Sequence, residues 1–216
     1  MGGRRVAPRW RHAPLAGAYS GAMSAAERLV LSYDEYLALE ASTGLRHQYI
    51  DGVAYAMAGS EPEHASVTAN AIVALGLMLR GGRCRVYSSD LKVRVPETGN
   101  AYYADAAVVC GRFTRHPGDP IAVTNPTLLV EVLSPSTETF DRGDKFADYQ
   151  RLASLRHYLL VSTRTQRVEH YRRNDDGTWT LTVSEAGGLV QLPDLGGAIE
   201  VDELYVGEVE ERADEG

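Results

Sequence analysis

The chain of 216 residues is long enough for one domain with a well-buried core and short for two. Hydrophobic residues make up 44% and charged residues 24%, ordinary for a globular protein, and no apolar run reaches the roughly 18 residues that a membrane helix needs. The formal net charge of -7 excludes a surface that is basic throughout, so any contact with nucleic acid has to come from a local patch.

Residues 1–22 carry arginines followed by small residues with no continuous apolar segment, which does not match a signal peptide. They are expected to form a disordered extension, with Met23 a candidate start, ahead of a single domain over 23–207 and an acidic, frayed tail over 208–216. Cys84 and Cys110 are too few for a disulfide framework and lie outside any zinc-binding spacing, so they are expected as small core residues in a reducing cytoplasm. Of the 22 basic residues only Lys92 and Lys145 are lysines.

The first element is a short helix from about residue 33 to 42, opened by Ser32 and Glu35 as a capping box. "HQYIDGVAYAM" then holds two strand-like runs joined at Asp51-Gly52, a strong hairpin signal. From Glu63 to Arg80 the apolar residues Val67, Ala71, Ala74, Leu75 and Met78 recur at helical spacing, and Gly81-Gly82 ends the pattern. "CRVYSSDLKVRV" reads as one strand, or two with a kink at Ser89-Asp90. "AYYADAAVVC" and "PTLLVEVLS" are nearly continuous apolar runs, as the central strands of a covered sheet should be. A helix is expected from Asp141 to Leu152, followed by strands at "HYLLVS", "RVEHYRR" and "TWTLTV", the last two joined by a turn at Asn174 to Gly177.

Two of these central strands are each interrupted by one carboxylate, Asp105 and Glu131. An ionised acid in a buried strand costs several kcal/mol unless something pairs with it. Backbone N–H groups or an arginine could satisfy each acid singly. If the strands are neighbours, a hard divalent cation such as magnesium relieves both at once, since it takes oxygen ligands and usually one or two protein carboxylates. Lys145, near the start of a helix returning to the same sheet edge, is either a surface lysine paired with Asp141 or Asp148 or a catalytic cation that stabilises charge at phosphorus.

Asp105, then Glu131 in "EVLSPST", then Asp141, Lys145 and Tyr149 resemble the Uma-two family of restriction endonucleases, within the PD-(D/E)xK nuclease superfamily. "RHQYIDG", "YAMAGSEPEH", "CRVYSSDLKVRV" and "YLLVSTRTQRVEHYRR" extend the likeness over residues 30 to 205. The resemblance implies an α/β restriction-endonuclease-like core, with a mixed central sheet flanked by helices and extra β-hairpins at both ends. It also implies a magnesium-dependent endonuclease acting on DNA, with manganese as a substitute ion. Asp105, Glu131 and the backbone carbonyl of Val132 would hold the metal and Lys145 would assist the attacking water.

In the wider superfamily the lysine stands two residues after the glutamate, where this chain has Leu133, so Lys145 has to reach in from a helix; Lys92, with Asp90 beside it, is the alternative. The family carries glutamate where this chain has Gln48, and proline at Ala104. His64 is a further neighbour of the site. Cutting two strands suits two-fold symmetry, so a homodimer is expected and a membrane partner is not. The competing expectation is a weakened nuclease fold serving as a nucleic-acid or protein binding module, which Gln48 and the negative total charge favour.

Overall fold

A computed structural model of the chain describes residues 30–57 and 59–207; the expectations for residues 1–22 and 208–216 lie outside the described residues. The first helix, α1 (Tyr33–Thr43), starts as its capping box requires, with the Ser32 hydroxyl accepting from Glu35 N–H and the Glu35 carboxylate accepting from Ser32 N–H. β1 (His47–Ile50) and β2 (Val53–Ala56) form the expected hairpin. Asp51 and Gly52 both take positive φ, 49° and 82°, the mirror-image turn that matches strand twist. α2 (Pro62–Met78) begins with proline, whose missing N–H costs nothing at a helix start, and buries Val67, Ala71, Ala74 and Leu75.

Two long runs that look continuous in the sequence are each divided between two sheets. β3 (Cys84–Ser88) and β6 (Ala106–Cys110) pair antiparallel in one sheet, whereas β4 (Lys92–Arg94) and β5 (Ala101–Tyr103) pair antiparallel in the other. The segment is one long hairpin bent at residues 89–91 and again at Ala104-Asp105, so "AYYADAAVVC" is not a single central strand. β7 (Arg115–His116) and β8 (Asp119–Val123) complete the first sheet, a pair that the irregular "TRHPGDPIAV" did not announce.

β9 (Leu128–Leu133) is the buried strand expected, with every residue shielded from solvent. The expected helix after it is two short ones, α3 (Glu138–Arg142) and α4 (Asp144–Tyr149), broken at Gly143. β10 (His157–Ser162), β11 (Arg167–Arg173) and β12 (Trp179–Glu185) follow as expected, and β13 (Leu189–Leu192) and β14 (Gly197–Glu200) add a terminal hairpin joined through one 3-10 turn and followed by another.

The architecture is α/β with two six-stranded sheets, β2-β1-β5-β4-β8-β7 and β12-β11-β10-β9-β6-β3. Side chains on β9 alternate between two cores. Leu128, Val130 and Val132 face α2, while Leu129 and Leu133 face a second core shared with the first sheet and α4. Glu131 has the parity of this second set and points between the sheets. A third cluster seals α1 onto the outer face of the first sheet through Tyr36, Tyr49 and Ala101.

One expectation is overturned here. Cys84 and Cys110 stand directly opposite each other in the β3–β6 register and form a disulfide, so they are not free core thiols. Twenty-six residues separate them in sequence, and only the fold of the bent hairpin brings them together.

Candidate active site

The bend at Asp105 is where the site begins. Continuing the antiparallel register of β6 and β9 past Ala106 and Val130 would set Ala104 against Val132, but the chain leaves the sheet there. The Asp105 carboxylate takes the vacated place, its Oδ2 accepting from Val132 N–H at 2.7 Å. The same oxygen lies 3.3 Å from Nε2 of His64, in the first turn of α2. The hydrogen bond to Asp105 raises the His64 imidazole above its ordinary pKa, against the effect of burial.

Glu131 is 4% exposed. Its Oε1 is 2.8 Å from Lys145 Nζ and accepts from the Tyr149 hydroxyl at 3.1 Å. Lys145 also reaches Asp141 Oδ1 at 3.2 Å, one helical turn earlier across the Gly143 break. Tyr158 donates to the Asp141 carbonyl at 2.9 Å, fixing the short helices onto β10. The structure therefore brings together Asp105, Glu131, Val132, Lys145 and His64, and adds Asp141 and Tyr149.

The electrostatics follow from the count of charges. Burial, followed by the charges of Asp141 and Asp105, raises the Glu131 carboxyl to about 8, although Lys145 opposes the rise. Burial pulls the Lys145 ammonium down, but Glu131 and Asp141 outweigh it and hold the group above its ordinary value. The neighbouring acids contribute to both shifts, adding to burial at Glu131 and overcoming it at Lys145.

Gln48, on β1, has the parity of Ile50, which packs into the core between the sheets, and extension of the β1–β5 register sets it beside Tyr102. The Tyr102 ring lies 6.0 Å from Lys145 Nζ. Gln48 Oε1 is buried with no hydrogen-bond donor among the described residues, an oxygen available to a cation or a water.

Lys92 and Asp90 are not part of this constellation. Asp90 is on the surface, paired with Arg46 at 2.9 Å. Lys92 is fully buried on the opposite face of the first sheet, 2.7 Å from Glu40 and 2.8 Å from Asp119. It lies 4.6 Å from the Tyr36 ring centre, and Tyr33 and Tyr103 donate to its two carboxylates. Arg94, its neighbour on the same face, stacks 3.7 Å from the Tyr33 ring centre. Two cations thus face two carboxylates, and the group is neutral as it stands. Lys92 is therefore not a substitute for Lys145. The expectation failed because Glu40 and Asp119 are distant in sequence and carry no motif.

Among the described residues no group of three or more histidine, cysteine, aspartate or glutamate side chains is poised around one metal position. The donor set is instead the two carboxylates of Asp105 and Glu131. Its chemistry suits a hard cation that keeps several waters, as magnesium does, better than a transition metal.

Fold and site together define a nuclease-like α/β protein built around a strand-borne carboxylate cluster. The chain belongs to the Uma2 family, described as "Putative restriction endonuclease", whose model matches residues 33–202. Two Synechocystis sp. proteins are similar along most of their length. One, described as "Uncharacterized protein slr1290", is 37% identical over 82% of this chain and 92% of its own. The other, "Uncharacterized protein sll1609", is 32% identical over 74% and 90%. A crystal structure from Anabaena variabilis ATCC 29413, described as "a putative nuclease belonging to DUF820", superposes with a TM-score of 0.66 at 18% identity, covering 81% of this chain and 97% of that one. At that identity the likeness concerns the fold.

Proposed function

We propose that the protein is a magnesium-dependent endonuclease that hydrolyses phosphodiester bonds in DNA. The observation that carries this is the unbalanced cluster of three carboxylates, Glu131 and Asp141 on Lys145 and Asp105 on His64, in which acids outnumber cations by one even with His64 protonated, in contrast to the neutral cluster around Lys92. A buried surplus of negative charge is costly, and it persists where a ligand neutralises it.

Asp105 and Glu131 are the side chains that would hold the ion, with Val132 supplying backbone and Gln48 a neutral oxygen. A divalent cation there supplies positive charge at the phosphate and acidifies water, and manganese would serve in place of magnesium. Lys145 anchors Glu131 through one oxygen and presents positive charge where charge develops on phosphorus. Tyr149 fixes the same carboxylate, and His64, held by Asp105, would exchange a proton with a departing oxygen.

The competing function, a nucleic-acid or protein binding module without catalysis, is favoured by Lys145 and Tyr149 both occupying Glu131 Oε1 and by glutamine at position 48. Calorimetry with magnesium and manganese on the parent and on Glu131→Ala, beside cleavage of plasmid and single-stranded DNA, separates the two. Binding and cutting by the parent, both lost in a folded Glu131→Ala, support the nuclease. A parent that binds no divalent ion removes it in favour of the binding module.

A homodimer fits the cutting of two strands. β12 is an edge strand exposing Leu181 and Val183, 48% and 40%, and antiparallel pairing about Thr182 would set each against the other in a second copy. Light scattering on the purified chain tests it, and a monomeric mass at all concentrations rules it out.

A further inference from the structure

β9 and β10 are the parallel pair of their sheet, and their C-terminal ends lie side by side, with Leu133 opposite Ser162. Crevices beyond the carboxyl ends of parallel strands are recurrent ligand sites, because the connections there diverge to opposite faces. A small cleft occupies this position, lined by Leu133, Ser134, Ser162, Thr163 and Arg164 together with Glu138. It begins two to three residues beyond Glu131 on the same strand, about 7–10 Å at the rise of a β-strand.

The walls are built for an anion. Ser162 Oγ accepts from the backbone N–H groups of Arg164 and Thr165 at 3.1 and 3.3 Å, which fixes the hydroxyl and leaves its own proton to be donated. Ser134 Oγ is held by Ser136 and Thr137 on the other wall. Thr163 bonds the Leu133 carbonyl at 3.0 Å and ties the two strand ends together. Arg164 is exposed and has no ion pair among the described residues, whereas the neighbouring arginines are engaged: Arg142 by Glu138 and Glu169, Arg167 by Glu169 and Glu185. Glu138, the acid of the cleft, is paired with Arg142, which it shares with Glu169.

We infer that this cleft binds a DNA backbone phosphate next to the one presented to Asp105 and Glu131, with Arg164 as its cation and the Ser162 and Ser134 hydroxyls as neutral donors. The inference rests on the nuclease function proposed above. It gives the acidic chain the local basic contact that its net charge demands, and it positions the strand without reading its sequence.

The test is fluorescence anisotropy of a short labelled DNA duplex with the full chain in EDTA, where nothing is cut, at a series of salt concentrations. Arg164→Ala should weaken binding about tenfold and reduce the salt slope by about one unit, as the loss of one phosphate contact requires. Arg164→Lys should keep the slope, and Arg80→Ala, just beyond the far end of α2, should match the parent. Equal affinity and slope for Arg164→Ala and the parent overturn the cleft while leaving cleavage to stand on its own. A parent that binds DNA through Arg164 but cuts none with magnesium keeps the cleft and sinks the nuclease. A parent that binds no DNA overturns both.

Discussion

Lys145 Nζ lies 2.8 Å from Glu131 Oε1, and both groups are buried between the sheets. Replacing this lysine with methionine keeps most of the volume but leaves Glu131, Asp141 and Asp105 facing one another without an ammonium. Lys145→Met should lose about 3–5 kcal/mol of stability in EDTA, measured by urea denaturation. Added magnesium should raise its melting temperature more than it raises the parent's, because the proposed ion then carries the whole neutralising task. Equal shifts for both proteins would show that no ion enters here.

The second lysine should behave differently. Lys92→Met removes the charge that Glu40 and Asp119 share, with a similar loss of about 3–5 kcal/mol, centred on the docking of α1. Divalent-ion binding by calorimetry should be unchanged in the folded fraction, since this cluster is on the other face of its sheet. A change in metal affinity would mean that the two clusters communicate.

Acid should weaken the fold through His157 and His170. His157 Nδ1 lies 2.9 Å from His170 Nε2, with Asp194 3.2 Å from the far nitrogen of His157 and Arg172 and Arg156 beside Asp194. Burial comes first, with the neighbouring positive charges next, in pulling both imidazoles down to about 4. The folded value lies below the ordinary 6.5, so as pH falls below it the unfolded chain takes up protons that the fold refuses. The contribution is complete above that pH and lost between there and about 4. Urea melts across this range should show the slope in the parent and a flatter profile when both histidines are glutamine.

The disulfide should stabilise the bent hairpin that carries Asp105. Closing a loop of 26 residues restricts the unfolded chain by about 3 kcal/mol. Reduction, or Cys84→Ser with Cys110→Ser, should lower stability by about that amount, with faster amide exchange in β3 as the local sign. Unchanged melts with and without reductant would leave the bridge no stabilising role.

Much of the local structure is legible in the sequence because its causes are local. The Ser32/Glu35 capping box, the Asp51-Gly52 turn and the apolar spacing of α2 each depend on residues within a few positions of one another. Glu131 stands out for the same reason, as a charge in an apolar run, and the lysine that meets it is the one expected, from the following helix. The helix over Asp141 to Leu152 came out divided because Gly143 leaves helical geometry, with φ -105° and ψ -104°.

Sequence alone determined most of the helices and strands, the β7–β8 pair and the break at Gly143 excepted, and that two strand-like runs each carry one acid, because periodicity and turn chemistry act over a few residues. Tertiary structure decided everything that depends on meeting across the chain. It split two runs between sheets, placed Asp105 at a bend where it caps Val132, joined Cys84 to Cys110, and assigned the two lysines to two different clusters. The physical reason is that burial and charge balance depend on how many opposite charges the whole fold gathers within hydrogen-bonding reach, and no spacing along one strand records that number.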